Sequence, residues 1–199
     1  MGFNVFPAGA FPLPLSIRRA APADLPALWK MQQASLRELG HRGHYAPKQV
    51  EAFIDYFGTL EREVVEDGTY YLVEVGGWLA ASGGWSLRAP GYMQALRTTG
   101  AARRAAEALP RIRSVFVHPD YRKTEGIARR IVEVCETEIR WRGYPEVAHD
   151  ASRAGKPLYE ALGYKPVAPL EMKLPDGTKL DFTHMRKRVT PGRTARRVA

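Results

Sequence analysis

The sequence predicts a mixed α/β layer whose strands are largely joined by hairpins, with one strand–helix–strand unit set among them. Three observations predict it. Tyr70–Val75 and Trp78–Leu87, rich in β-branched and aromatic residues, flank Gly76-Gly77, a hairpin signal. A second hairpin signal, Pro175-Asp176-Gly177, joins Val167–Lys173 to Lys179–Lys187. Between the hairpins, a strand-like run at Ile112–Val117 leads to a helical pattern over Gly126–Trp141 and a short strand at Pro145–His149.

Each element has its own warrant. Ser16–Arg19 reads as a short strand, and Pro22, Asp24 and Pro26 mark a helix start. Leu25, Leu28, Leu36 and Leu39 then fall near one helical face, and Gly40 ends the pattern. A second helix begins at Pro47, with Val50, Phe53, Ile54 and Phe57 at helical spacing. Arg88–Pro110 is a long connection with an Ala/Arg-rich piece that reads as a short helix. In Gly126–Trp141 the apolar stripe is Ile127, Ile131, Val134, Cys135 and Ile139. A further helix spans about Ala154 to Leu162 and stops at Gly163.

The 199 residues fit one domain, divided as an N-terminal arm over 1–15, a body over 16–188 and a basic tail over 189–199. Composition, 45% hydrophobic and 26% charged, is enough for a real core. The net charge is +9, but six basic residues lie from Arg186 onward with no acid among them. Residues 1–185 keep 24 basic against 21 acidic residues, only +3. That tail allows salt-sensitive, sequence-independent affinity for nucleic acid, though no recognisable nucleic-acid motif accompanies it. A single cysteine, Cys135, excludes an internal disulfide framework and a Cys-rich zinc site. It lies on an apolar stripe and reads as a buried thiol. His41 and His44 have no further ligands nearby, so no metal is expected. Trp78 and Trp85 read as strand packing. The apolar N-terminus is broken by prolines and has no basic residue before Arg18, a poor signal peptide. No run reaches the ~20 apolar residues of a membrane span. A cytoplasmic location is expected.

Chemistry concentrates between Arg111 and Tyr164. The strand Ser114-Val115-Phe116-Val117 feeds His118-Pro119-Asp120-Tyr121-Arg122, and Lys123-Thr124-Glu125-Gly126-Ile127-Ala128 opens a helix. Unpaired amides at the first turn, the positive end of the helix dipole and Arg122 or Lys123 make an anion site. Small residues at Gly126 and Ala128 let backbone approach a pyrophosphate. Neither G-x-x-x-x-G-K-[ST] nor G-x-G-x-x-G after a strand is present.

This segment resembles the acyl-CoA signature of the GNAT family of N-acetyltransferases, Q/R-x-x-G-x-G/A after a strand ending in V-x-P. Val117-His118-Pro119 supplies V-x-P, and Gly126-Ile127-Ala128 supplies G-x-A. Lys123 stands where the family has Arg or Gln, with Arg122 one residue back. Downstream, Leu158-Tyr159-Glu160-Ala161-Leu162-Gly163-Tyr164 resembles the family's L-Y-E-x-L-G-[FY] block, and Ser152 and Gly155 occupy the places of its N-x-x-A. The resemblance covers roughly residues 16–188.

It implies a mostly antiparallel twisted sheet with helices on both faces and a splayed central strand pair, here Ile112–Val117 and Pro145–His149. Acetyl-CoA would enter that splay as co-substrate. Val115, Phe116 and Val117 would pair their backbone with its pantetheine arm, one amide facing the thioester carbonyl. Arg122, Lys123, Thr124, Glu125, Gly126, Ile127 and Ala128 would hold the pyrophosphate, and Ser152 would also contact the cofactor. Tyr159 matches the general acid that protonates the departing thiolate. Glu74, His118 and His149 are the candidates for a base. The acceptor is a primary amine of a small molecule or protein, met by the first helices, the 88–110 connection and the final hairpin, with His41 and His44 nearby. Edge strands of such sheets often pair, so a homodimer is in keeping with it. The alternatives are a non-catalytic acyl-CoA sensor and a nucleic-acid-associated protein using the tail.

Overall fold

The computed structural model describes residues 14–60, 62–88, 109–122 and 126–190. Strand β1 (Leu15–Arg19) and a 3-10 turn at Pro22–Asp24 lead into α1 (Leu25–His41). Next come α2 (Pro47–Phe57), α3 (Arg62–Glu66) and the hairpin β2 (Tyr70–Val75) and β3 (Trp78–Ser86). After the long connection follow β4 (Arg111–Val117), a 3-10 turn at Pro119–Tyr121 and α4 (Ile127–Trp141). The chain closes with β5 (Glu146–Ser152), α5 (Lys156–Ala161), β6 (Lys165–Lys173) and β7 (Lys179–Arg188). The short helix expected within 88–110 lies almost wholly outside the described residues.

Two differences from the sequence reading have identifiable causes, one local and one long-range. Helix α3 is too short, at five residues, to show a helical period, and its adjacent Val64 and Val65 look like any apolar pair. Strand β5 runs on to Ser152 because β7 pairs with it from Glu146↔Arg188 to Ser152↔Phe182. That long-range pairing overrides the polar look of His149-Asp150.

The strands form one sheet in the order β1-β2-β3-β4-β5-β7-β6. Its faces follow from the two-residue alternation of strands. On β2, Tyr71 and Val73 pack with Ile127, Ile131, Cys135 and Ile139 of α4, whereas Tyr70 and Leu72 pack with Leu25, Leu28 and Met31 of α1. Helices therefore cover both faces. Glu138 of α4 accepts hydrogen bonds from Tyr71 and from Trp85 Nε1 (2.9 Å), tying helix to sheet. Burial alone would raise its pKa, yet those bonds and Arg142 hold the carboxyl below its ordinary value. Trp85 is core, as expected, but Trp78 at the hairpin tip is 63% exposed.

All neighbouring strands run antiparallel except β4 and β5, which are parallel and share one register pair, Arg111↔Ala148. Beyond it they part. The gap is braced underneath by Asp150, whose carboxylate meets Arg111 at 2.9 Å and His184 Nδ1 at 2.7 Å. Burial pushes Asp150 up, but the His184 hydrogen bond and the Arg111 charge outweigh it and hold the pKa low.

The basic C-terminal run is partly consumed by this architecture. Arg186 donates to His184 Nε2 at 3.2 Å, and Lys187 Nζ lies 2.6 Å from Glu136. Both belong to β7, and Val189, assigned from sequence to the tail, is buried with its amide on Pro145 O. Residues 191–199 lie outside the described set. Among the described residues no helix is long and apolar enough to cross a membrane.

Candidate functional site

The parting of β4 from β5 opens a cleft of about 270 Å³ lined by β4, β5, α5, both first helices and β7. Its floor is backbone. Between the pairs Ser82↔Phe116 and Gly84↔Arg113, β4 spends one residue more than β3, a bulge. Ser114 sits in it at φ +49°, the described non-glycine residue with a left-handed backbone. That conformation is costly for a side-chain-bearing residue and needs support from its surroundings.

The support is a buried neutral network. Tyr70 donates its hydroxyl to Ser114 O at 2.6 Å and accepts from Gln32 Nε2 at 2.8 Å, with Ser82 Oγ 3.0 Å away. Ser114 Oγ in turn donates to Thr59 O at 3.2 Å. Tyr70 reaches the bulge only because position 84 is glycine: a Cβ there would lie 2.4 Å from its ring and 2.6 Å from Thr69 O. Past the bulge, His118 N–H bonds Ala80 O on β3, so strand alternation turns the amides of Val117 and Val115 toward the gap.

The cationic end lies where β4 gives way to α4. Gly126 is the N-cap, at φ +77°, a conformation that favours glycine. The first amides of the 15-residue α4 follow it. Arg122 lines the cleft, donating to Ser35 O and Oγ of α1 at 3.2 and 3.3 Å, while its Nε is buried with no partner among the described residues. Burial, with Arg42 nearby, lowers its pKa from the ordinary arginine value, which still leaves it charged. Ala128 also lines the cleft. Ile127 does not: its side chain is 2% exposed in the core beneath α4, so only its backbone is available. Lys123, Thr124 and Glu125 lie outside the described residues.

Tyr159 and Ser152 face the same cleft from α5 and β5. A turn closed by Gly155 N–H on Ser152 Oγ (3.1 Å) brings α5 back over the gap. The Tyr159 ring stacks on His149, centroids 3.6 Å apart at 26°, and Tyr164 meets it edge-on. His149 is anchored in turn by Nδ1 on Ile112 O at 3.0 Å, a side-chain brace across the gap where backbone pairing has ceased. Burial pushes its pKa down to about 4, so the ring is neutral at pH 7.

Of the three base candidates, His149 alone lies in this cleft. Glu74 is held on the β1 side of the sheet by Arg18, at 3.0 Å, and His118 accepts from Asp120 N and meets Tyr121 edge-on. His41 and His44 are likewise absent from the cleft lining. Among the described residues no cluster of His, Cys, Asp or Glu could hold a metal ion. Cys135 is fully buried, which pushes its thiol pKa up, as an inert structural thiol requires.

The facing wall is apolar. Leu36 and Leu39 of α1, Val50, Phe53 and Phe57 of α2, and Leu180 and Phe182 of β7 line it together with Tyr45. The rings touch in sequence: Phe57 to Phe53 at 5.9 Å, Phe53 to Phe182 at 6.5 Å, Phe182 to Tyr45 at 6.4 Å. The Tyr45 hydroxyl is engaged by Asp181 O and Arg153 N. Sequence reasoning pointed to these elements and read Leu36, Leu39, Val50, Phe53 and Phe57 as apolar helix faces, but assigned none of these side chains to the site. Phe53 and Phe57, one turn apart on α2, were the available signal.

The family model for the acetyltransferase (GNAT) domain matches residues 86–189, just over half of the chain. The chain belongs to the GNAT acetyltransferase family. A GCN5-related N-acetyltransferase from Rhodopseudomonas palustris matches over 90% of this chain and 99% of its own, at 18% identity and a TM-score of 0.65. The YncA protein of Salmonella typhimurium, solved with its cofactor acetyl-CoA, covers 94% of this GNAT chain and 99% of its own, at 18% identity and a TM-score of 0.59. The PaiA N-acetyltransferase of Thermoplasma acidophilum, solved with coenzyme A, covers 88% and 99%, at 13% and 0.57. At these identities the likeness is one of fold. No curated protein matches the chain. The match over 86–189 takes in every GNAT motif residue named from the sequence, and the apolar wall on α1 and α2 falls before it.

Proposed function

We propose that this GNAT chain transfers the acetyl group of acetyl-CoA to a primary amine by direct attack within a ternary complex. The observation that carries the reading is the convergence of an unpaired β4 edge, Arg122 and Tyr159 on one cleft. The residues present fit the co-substrate. The β4 edge offers the Val115 and Val117 amides to a pantetheine arm as an added strand. Phe116 points its backbone to β3 and contributes its side chain to the lining. The orphaned Nε of Arg122 and the amides after Gly126 suit a pyrophosphate. Ser152 and Ala128 line the passage between these ends.

In the reaction the amine nitrogen attacks the thioester carbonyl carbon. Negative charge grows on the carbonyl oxygen, and an amide at the β4 edge, held in place by the bulge, donates to it. The carbon–sulfur bond then breaks and the thiolate takes the proton of Tyr159 Oη, while the surplus proton on nitrogen passes to water, from which the Tyr159 phenolate is reprotonated. A thiol of pKa ~8.5 leaves readily and a phenol of pKa ~10 is a weak acid, so Tyr159 accelerates the step rather than making it feasible. His149, with basicity depressed to about 4, is too weak to strip an ammonium; it positions Tyr159 through their stack. The apolar wall assists deprotonation instead, because a desolvated amine favours its neutral form.

Calorimetry with acetyl-CoA tests the binding half: we expect binding at tens of micromolar or tighter, weakened about tenfold in Arg122→Gln. No heat at those concentrations rejects the reading. Thiol release on an amine panel tests the catalytic half. Binding with no release on any amine would make the chain a sensor.

A further inference from the structure

From the wall opposite β4 we infer that the acceptor is a small monoamine carrying an apolar, ring-sized body rather than a polyamine or an amino acid. The inference rests on the acetyl-transfer reading and deepens it by naming the acceptor class. Three observations carry it.

The first is the chemistry of the wall. Leu36, Leu39, Phe53, Phe57 and Phe182 form a continuous apolar surface from three separate elements, and the aromatic rings are in contact. Of the hydroxyls in the lining, that of Tyr45 is already engaged by backbone groups and that of Thr59 is buried. A hydrocarbon body gains by covering such a surface, and a polar body loses its water there without replacement.

The second is charge. Asp150 is the one acidic residue among the described residues lining the cleft, and Arg111 and His184 occupy its carboxylate. A second ammonium on the acceptor would enter the wall with no described carboxylate to receive it. The described cations lining the cleft are Arg113, on β4, and Arg122, which the pyrophosphate requires. Neither belongs to the apolar wall, so a free carboxylate on the acceptor would have to reach past that wall to meet one.

The third is size. A cavity of 150 Å³ in another protein holds a benzene ring. The present cleft, at about 270 Å³ and open to solvent on one side, accommodates a body of about one ring or a short alkyl chain against the wall beside the thioester end of the cofactor.

The test measures kcat/KM for thiol release with butylamine, hexylamine, phenethylamine, 1,6-diaminohexane and phenylalanine, at saturating acetyl-CoA and with free-base concentrations equalised. The expected result is a fall in KM of about fourfold per added methylene between butylamine and hexylamine. Hexylamine and phenethylamine should exceed diaminohexane and phenylalanine by roughly 100-fold. Phe57→Glu places a carboxylate in the wall at a half-buried helix end and should move the diamine-to-monoamine ratio at least tenfold toward the diamine. Acetyl-CoA calorimetry on the same variant reports whether it is folded, and the wild-type panel stands if it is not. Equal or better rates with the diamine or the amino acid overturn the inference while leaving acetyl transfer intact. So does acetylation of a peptide amine with none of the small amines. Failure to bind acetyl-CoA overturns both.

Discussion

One wall of the cleft is made of backbone and the other of side chains. Along β4 and the start of α4, the groups that face the gap are amides whose direction is set by strand alternation, by the bulge at Ser114 and by the helix end after Gly126. Across from them, α1, α2 and β7 contribute aromatic and aliphatic side chains brought together from more than 140 positions of chain, Leu36 to Phe182. A backbone wall tolerates little variation, since moving one amide moves the strand. A side-chain wall can be rewritten residue by residue without disturbing the sheet. On the proposed function, the difference assigns the shared chemistry to the first wall and the selectivity of this chain to the second.

The largest effect expected is at the junction of the two walls. Tyr159→Phe keeps the ring that stacks on His149 and removes only the proton donor. We expect kcat to fall 10²–10³-fold while acetyl-CoA affinity stays within about twofold, measured by steady-state thiol release and calorimetry. A fall of less than tenfold would show that water delivers the proton, and Tyr159 would then be packing.

The ring beneath it gives the next effect, in stability. Burial holds His149 near pKa 4, against the ordinary value of 6.5. Between those pH values the unfolded chain binds a proton that the folded chain does not, so stability falls as pH drops from 6.5 toward 4 and levels off below. The full loss is about 3 kcal/mol, from a shift of this size. Asp150, held low, loses its contribution only at more acid pH. Urea unfolding across pH 4–7 should show the slope in the wild type and a flattened one in His149→Asn. Parallel curves would mean that His149 takes up its proton at the same pH in the folded chain as in the unfolded one.

The two walls also differ in how far the sequence revealed them. Val117-His118-Pro119, Gly126-Ile127-Ala128 and the block ending at Tyr164 are contiguous, because a strand end, a helix end and a turn are local structures with local requirements. The hairpins at Gly76-Gly77 and Pro175-Asp176-Gly177 were legible for the same reason. The apolar wall was not, since Phe53 and Phe182 become neighbours only when α2 packs beside β7. Nor was the bulge. It depends on Tyr70 from β2 and Gln32 from α1, whose residue types look ordinary in their own segments. Gly83-Gly84 within a strand was the one local hint, since such glycines mark a bulge or a close approach. Arg186 and Lys187 were counted in the basic run and also read as the end of the strand Lys179–Lys187; the strand reading holds, and β7 pairs them with groups of the body.

A smaller effect separates the walls by kinetic parameter. Tyr70→Phe removes the hydroxyl that donates to Ser114 O and accepts from Gln32, leaving a carbonyl and an amide in the core short of a partner. Such a loss costs about 1–3 kcal/mol of stability. It also releases the bulge, so the amides beyond Ser114 are less well directed when charge develops on the thioester oxygen. We expect kcat to fall about tenfold, with KM for the amine unchanged within about twofold. Phe53→Leu on the opposite wall should do the reverse, raising KM for the amine severalfold while kcat holds. Stability measured beside both rates decides the matter for Tyr70. Lost stability with an unchanged kcat would make the network a structural one, and the bulge would then hold its shape without it.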